Sequence, residues 1–158
     1  MESSDASATI KFGRQIPPQK RLSAMTSIDL ATFKMGWRPN QFFAAPAGFV
    51  SFAKPMAVVP AYSVPVDTLV AEFRAVALAS KRVTVVNEDT AQRQIDIVQR
   101  SALFKFPDTI TVQFVQQGEA QSSLAIYSRA RFGIGDLGVN KKRVIAWLAM
   151  LSTKVDIH

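Results

Sequence analysis

A chain of 158 residues, 48% of them hydrophobic, with a formal net charge of +7, has the size of one globular domain. Such a length buries roughly 70% of the unfolded surface, which excludes a disordered chain. There is no cysteine, so disulfides and thiolate chemistry are excluded, and the single histidine, His158, is the last residue, which removes the commonest metal ligand and catalytic base.

Residues 1–27 are rich in Ser, Gln, Lys and Pro and show no sustained periodicity, so they read as a flexible extension ahead of a single domain over 28–158. From Ile28 to Pro60 the chain is rich in Pro and Phe and predicts an extended wrap with few regular elements. Its apolar part, Phe42 to Pro60, is interrupted by Pro46, Lys54 and Pro55, which favours an irregular packed segment over a membrane surface element. A helix is predicted from Val66 to about Ser80, where Val66, Leu69, Val70, Phe73, Val76 and Ala77 share one face. Pro65 suits its first turn.

The period then changes to two. Val83–Val86 is a short β-branched strand; Arg93–Phe106 reads as a long one whose alternation slips near Val98, as at a bulge or a bend between two strands. Thr109–Gln116 alternates cleanly, with Ile110, Val112 and Phe114 on one face and Thr109, Thr111 and Gln113 on the other. A turn at Gln117–Ala120 leads to Ser123–Phe132, with Leu124, Ile126, Ser128, Ala130 and Phe132 inward and Tyr127, Arg129 and Arg131 outward. Short turns imply antiparallel pairing. A last helix, Leu137 to about Ser152, shows Leu137, Val144, Trp147, Leu148 and Leu151 on one face, with Asp136 as its candidate cap. The expected fold class is α+β: an antiparallel meander of about four strands, with both helices packed on one face.

Between the last strand and the last helix, RFGIGDLGVN places Gly133, Gly135 and Gly138 in the dinucleotide-binding spacing G-x-G-x-x-G. That turn needs a second parallel strand after the helix, with an acidic residue about 20 positions on. Only a few residues separate the helix from His158, too few for that strand, and Asp136 would oppose a pyrophosphate, so no nucleotide and no other cofactor is expected. The residues fit a strand-to-helix corner instead. At about 100° per residue Asn140 falls between Val144 and Trp147, so its amide is buried and needs partners, for which the Ser128–Arg131 strand end is the nearest source.

The surplus positive charge sits in two places: residues 1–40, and Arg129, Arg131, Lys141, Lys142 and Arg143 near Asp136. A basic balance favours anionic partners. One reading is a non-catalytic binding or scaffolding domain whose corner receives an anionic small molecule or membrane lipid. Arg129, Arg131 and Arg143 would be donors there, with Asp136 and Asn140 positioning them; against it stands a solvated basic face with an Arg129–Asp136 ion pair. A second reading is an apolar pocket between sheet and helices for a small molecule or acyl chain. A third, an enzyme using Asp96, Asp108 or Asp136, requires carboxylates to converge, and no spacing here forces that. Nucleic-acid binding is not expected, because no recognised module appears. No run of roughly 18 apolar residues is present, and the polar start lacks the apolar stretch of a secretory signal. A soluble, cytoplasmic protein is expected, with peripheral membrane attachment left open.

The run AIYSRARFGIGDLGVNKKRVIAWLAML, preceded by QRSALFKFPDTITVQF and RPNQFFAAPAGF, resembles the bacterial domain-of-unknown-function 1499 family over about residues 37–152. Ser128, Arg129, Gly133, Asp136, Leu137, Gly138, Asn140 and Arg143 match that family's late signature, and Asp108 its upstream Phe-x-Asp element. Gly135 and Ala130 stand where the family commonly has Ser. The resemblance implies no established activity. Many members look membrane-tethered through an N-terminal hydrophobic segment; residues 1–27 are polar, so no such tether is expected from them.

Removal of residues 1–27 is expected to leave the melting temperature nearly unchanged, because they offer no periodic apolar face. A fall of many degrees in a thermal melt would show that they pack.

Overall fold

The computed structural model describes residues 27–37, 39–132 and 138–158; residues 1–26, Arg38 and residues 133–137, which include Gly133, Gly135, Asp136 and Leu137, lie outside the described residues. The described chain forms strands β1 (Gln41–Ala45) and β2 (Ala57–Val58), helix α1 (Val66–Leu78), strands β3 (Val83–Asp89), β4 (Gln94–Arg100), β5 (Pro107–Gly118) and β6 (Gln121–Ala130), and helix α2 (Val139–Ser152). They build one mixed six-stranded sheet in the order β2-β1-β6-β5-β4-β3.

The antiparallel meander is β3 to β6. Within it Thr109 pairs with Arg129 and Ile110 with Ser128, so the two cleanly alternating segments lie side by side. The sheet is nevertheless larger than the expected four strands. β1 pairs antiparallel with β6, and β2 pairs parallel with β1. Both come from the segment that reads as an irregular wrap. The physical reason is two-sided burial: Phe42 and Ala44 face one core cluster while Phe43 and Ala45 face another, so QFFAA shows no alternation.

Arg93–Phe106 also needs correction. The strand ends at Arg100, and 101–106 is a loop. β4 pairs with β5 without a slip from Gln94 to Arg100, and the register shift lies instead between Val85 and Asn87, opposite β4. The apparent slip at Val98 arises because Val98 is buried on the face opposite Ile95 and Ile97, so both faces carry apolar residues.

Both helices cover one face. Leu69, Phe73 and Val76 from α1 and Val144, Trp147 and Leu151 from α2 meet Ile97, Ile110, Val112 and Ile126. Phe73 packs edge-on to Phe114 at 5.7 Å and to Trp147 at 5.9 Å, and the Trp147 indole N–H donates to Ser80 Oγ at 2.9 Å. Among the described residues no strand follows α2 to complete a nucleotide-binding unit; Ile157 forms only an isolated bridge with Tyr62.

The other face is not open along β1 and β6. Leu30 and Phe33 close over Phe43, Ala125 and Tyr127, so Tyr127, whose alternation parity points outward, is buried. Phe33 lies 5.1 Å from Phe43 and 4.6 Å from Tyr127, ring centre to ring centre. Gln94 Nε2 donates to Ser27 Oγ and to the Ile28 carbonyl, both at 3.1 Å, so contact with the sheet already begins at residue 27.

This second small core makes the wrap part of the folding unit. Phe33→Ala should cost about 3 kcal/mol in denaturant unfolding, the scale for deleting a buried aromatic ring. A loss below about 0.5 kcal/mol, typical of a surface change, would mean that the wrap is peripheral.

Candidate functional site

Helix α2 starts from Gly138, whose φ of 75° lies in the left-handed region that glycine occupies without strain. That turn aims the first helical residues at the sheet. Asn140 and Arg143, three apart, share the sheet-facing side.

Asn140 is fully buried. Its Nδ2 donates to the Asn40 carbonyl at 3.0 Å, and its Oδ1 accepts from Ser128 Oγ at 2.6 Å and from Arg143 Nη1 at 2.8 Å. The bond to the end of β6 expected from the helical wheel is therefore present. Arg143 Nη1 also donates to Ser128 Oγ at 2.9 Å, Nη2 pairs with Asp108 Oδ2 at 2.6 Å, and Nε donates to Gln99 Oε1. The side chains of Arg143 and Asp108 are 7% and 16% exposed. Every nitrogen of this guanidinium is engaged inside the fold, and its charge is met by a carboxylate.

On the opposite face of the sheet lies a second polar group. Asp96 is fully buried; its oxygens accept from Thr111 Oγ1 at 2.8 Å and Asn87 Nδ2 at 3.1 Å. Arg129 Nη1 lies 3.5 Å from Thr111 Oγ1, and the guanidinium carbon sits 5.0 Å from the centre of the Tyr127 ring. The Tyr127 hydroxyl donates to Gln41 Oε1 at 2.6 Å. Burial pushes the Arg129 pKa down from the usual arginine value, while Tyr127 and Asp96 act in the other direction. Beside it is a pocket of about 220 Å³ bordered by Gly36, Asn40, Gln41, Tyr127, Arg129 and Ala130.

The structure thus divides the residues that the sequence groups. Asn140 and Arg143 meet at the helix face. Arg129 is on the other face, separated from them by the sheet itself. Arg131 stands at the end of β6, its guanidinium 6.0 Å from the Phe132 ring. Asp136, and with it the expected helix cap and the Arg129–Asp136 pair, lies outside the described residues. Asp96 and Asp108 sit on opposite faces and do not converge. No group of three or more His, Asp or Glu side chains could hold a metal among the described residues.

Gln99 and Asn40 escape the sequence reading. Gln99 had a signal: it continues the inward parity of Ile95 and Ile97, where a polar residue implies a buried partner. Asn40 acts through its carbonyl, which no side-chain pattern reveals.

Asn140→Ala should cost about 1–3 kcal/mol by stranding buried partners. Arg143→Met should cost more, about 3–5 kcal/mol, because it leaves Asp108 without its cation. Urea unfolding of both variants and their double measures this; independent, additive losses would contradict a shared junction.

No curated protein matches the chain. The family described as a protein of unknown function, DUF1499, matches residues 35–151, which spans β1 to nearly the end of α2 and includes Asp108, Ser128, Arg129, Asn140 and Arg143. The chain belongs to the DUF1499 family.

Proposed function

We propose that this domain is a non-catalytic binding module and that the pocket beside Arg129 receives a small anionic group. The observation that carries this is the placement of a half-buried guanidinium at the wall of a pocket. Burial withdraws water from Arg129, so a ligand carboxylate or phosphate gains more there than at an exposed arginine. Tyr127 and Gln41 border the same space and offer neutral polar contacts.

Size and charge narrow the class. At about 220 Å³ the pocket falls below the roughly 300–1,000 Å³ of drug-sized sites, which suits a single acid group or a small headgroup. A larger cleft of about 300 Å³ between α1 and the β3–β4 hairpin is bordered by Asp67, Glu88 and Asp89 as well as Arg74 and Arg93, so its acids disfavour an anion. Arg143 is a poor donor to a ligand because Asp108 already holds it. The separation of Asp96 from Asp108 by the sheet weighs against acid–base chemistry between them. The filling of the helix side by Phe73, Phe114 and Trp147 weighs against an acyl chain there.

Thermal shift against phosphate, acetate, succinate and glycerol phosphate tests the reading. A ligand at about a hundred times its Kd stabilises the wild type by about 2.7 kcal/mol. Arg129→Ala is expected to abolish that stabilisation, Arg129→Lys to weaken it by losing the planar fork, and Arg131→Ala to keep it. If no anion stabilises the wild type, or Arg129→Ala responds as strongly, the pocket is not an anion site.

A further inference from the structure

The loop between β4 and β5 carries side chains that the fold does not bury. Leu103 is 81% exposed, Phe104 68% and Phe106 49%; Phe132, just after β6, is 59% exposed. They form one surface. Phe104 stacks on Phe106 at 5.6 Å and Phe106 lies 6.2 Å from Phe132. A contiguous exposed apolar patch on a small domain marks a contact surface more often than chance.

The loop that presents it is built rather than slack. Ser101 and Phe106 close it with a backbone bond at 3.0 Å, Phe106 N donates to Ser101 Oγ at 3.1 Å, and Arg100 Nη1 holds the Lys105 carbonyl at 3.2 Å. Lys105, between the two rings, has a φ of 53°, a strained angle for a side chain of this kind. The turn at Lys105 lies between two stacked, exposed rings, Phe104 and Phe106.

The surroundings are cationic. Arg100 and Lys105 belong to the loop, Arg82 donates to the Arg100 carbonyl, and the Arg131 guanidinium lies against Phe132. Among the described acidic side chains, only Asp108 stands at this end of the sheet, and Arg143 pairs with it. Glu88, Asp89 and Glu119 lie towards the hairpins at the other end, and Asp67 in the first turn of α1.

We infer that the tip formed by Leu103, Phe104, Phe106 and Phe132 docks the domain on an anionic lipid surface, its rings entering the interface and the surrounding cations meeting the headgroups. Aromatic rings prefer the headgroup level of a bilayer, and basic side chains are attracted to anionic lipid. Neutral apolar partners leave the cations unexplained, and nucleic acid leaves the Leu103 and Phe104 side chains in water.

The experiment is co-sedimentation of the full chain with vesicles of phosphatidylcholine alone and of equimolar phosphatidylcholine and phosphatidylglycerol. Binding to the anionic vesicles, weakened by salt, is expected, with little to the neutral ones. Lys105→Ala and Arg131→Ala should each weaken it about fivefold, and Phe104→Ser with Phe106→Ser should reduce it to the neutral-vesicle level at an unchanged melting temperature. Absence of binding to the anionic vesicles, or full binding by the aromatic double variant, overturns the inference. So does a wild-type dimer in analytical ultracentrifugation that the double variant splits, since a second copy would then own the patch. Arg129 takes no part in the tip, so Arg129→Ala should bind vesicles as the wild type does; failure here leaves the soluble-anion reading standing, and the reverse.

Discussion

A buried guanidinium must be answered on every side, and Arg143 sets the geometry around which the sheet, α2 and the start of β1 are arranged. Its Asp108 partner comes from β5, its Gln99 partner from β4, its Ser128 partner from β6 and its Asn140 partner from its own helix. A one-residue slip of α2 or of any of these strands would leave a charge or an amide without a partner, at a cost of several kcal/mol. Hydrophobic packing between α2 and the sheet tolerates small shifts; this junction does not. Asn140 extends the constraint to Asn40, whose carbonyl also accepts from Ala130 N at 3.0 Å, so the pairing of β1 with β6 begins at the same point. Removing one partner of such a buried pair costs more than the intact pair contributes net.

Legibility in the sequence followed burial. β5 and β6 are readable because Ile110, Val112 and Phe114 face an apolar layer while Thr109 and Thr111 face a polar one, so alternation survives. Asn140 is readable because a polar residue on an apolar helical stripe has one explanation. β1 is illegible because Phe42 and Phe43 each find a core, and strand alternation vanishes when both faces are covered. The loop at 101–106 is misread for the opposite reason: Leu103, Phe104 and Phe106 have strand-forming side chains but no neighbouring layer to bury them. β propensity describes the surface a side chain fits, and among the described residues no layer covers these three.

Parity also governs the candidate site. The alternation that turns Ser128 towards the helices turns Arg129 away from them, and Asn140 faces the same layer as Ser128. Arg129 and Asn140 therefore cannot share a site through the sheet, although their positions in the sequence signature place them close together. Charge groups Arg129, Arg131 and Arg143 in the sequence, and parity places Arg129 and Arg143 on opposite faces of the sheet. What no pattern could supply is the wrap: Leu30 and Phe33 close the outward face over Tyr127, the neighbour of Arg129 in the pocket wall.

Two arginines with the same chemistry thus hold different places. Arg143 lies against a carboxylate at 2.6 Å, so its field is largely cancelled within a few ångströms. Arg129 is bordered by the Thr111 hydroxyl and the Tyr127 ring, with the Asp96 charge held by Thr111 and Asn87, and it forms part of a pocket wall. The distinction matters for a family signature containing both: Arg143 is held wholly by partners within the fold, whereas Arg129 has internal contacts and also borders a pocket. The same reasoning applies to the whole domain. Along the strands the same accounting separates the β3–β4 hairpin end, where Glu88 and Asp89 stand beside Arg74 and Arg93, from the loop at 101–106, where Arg100 and Lys105 stand and the one described acid, Asp108, is paired with Arg143.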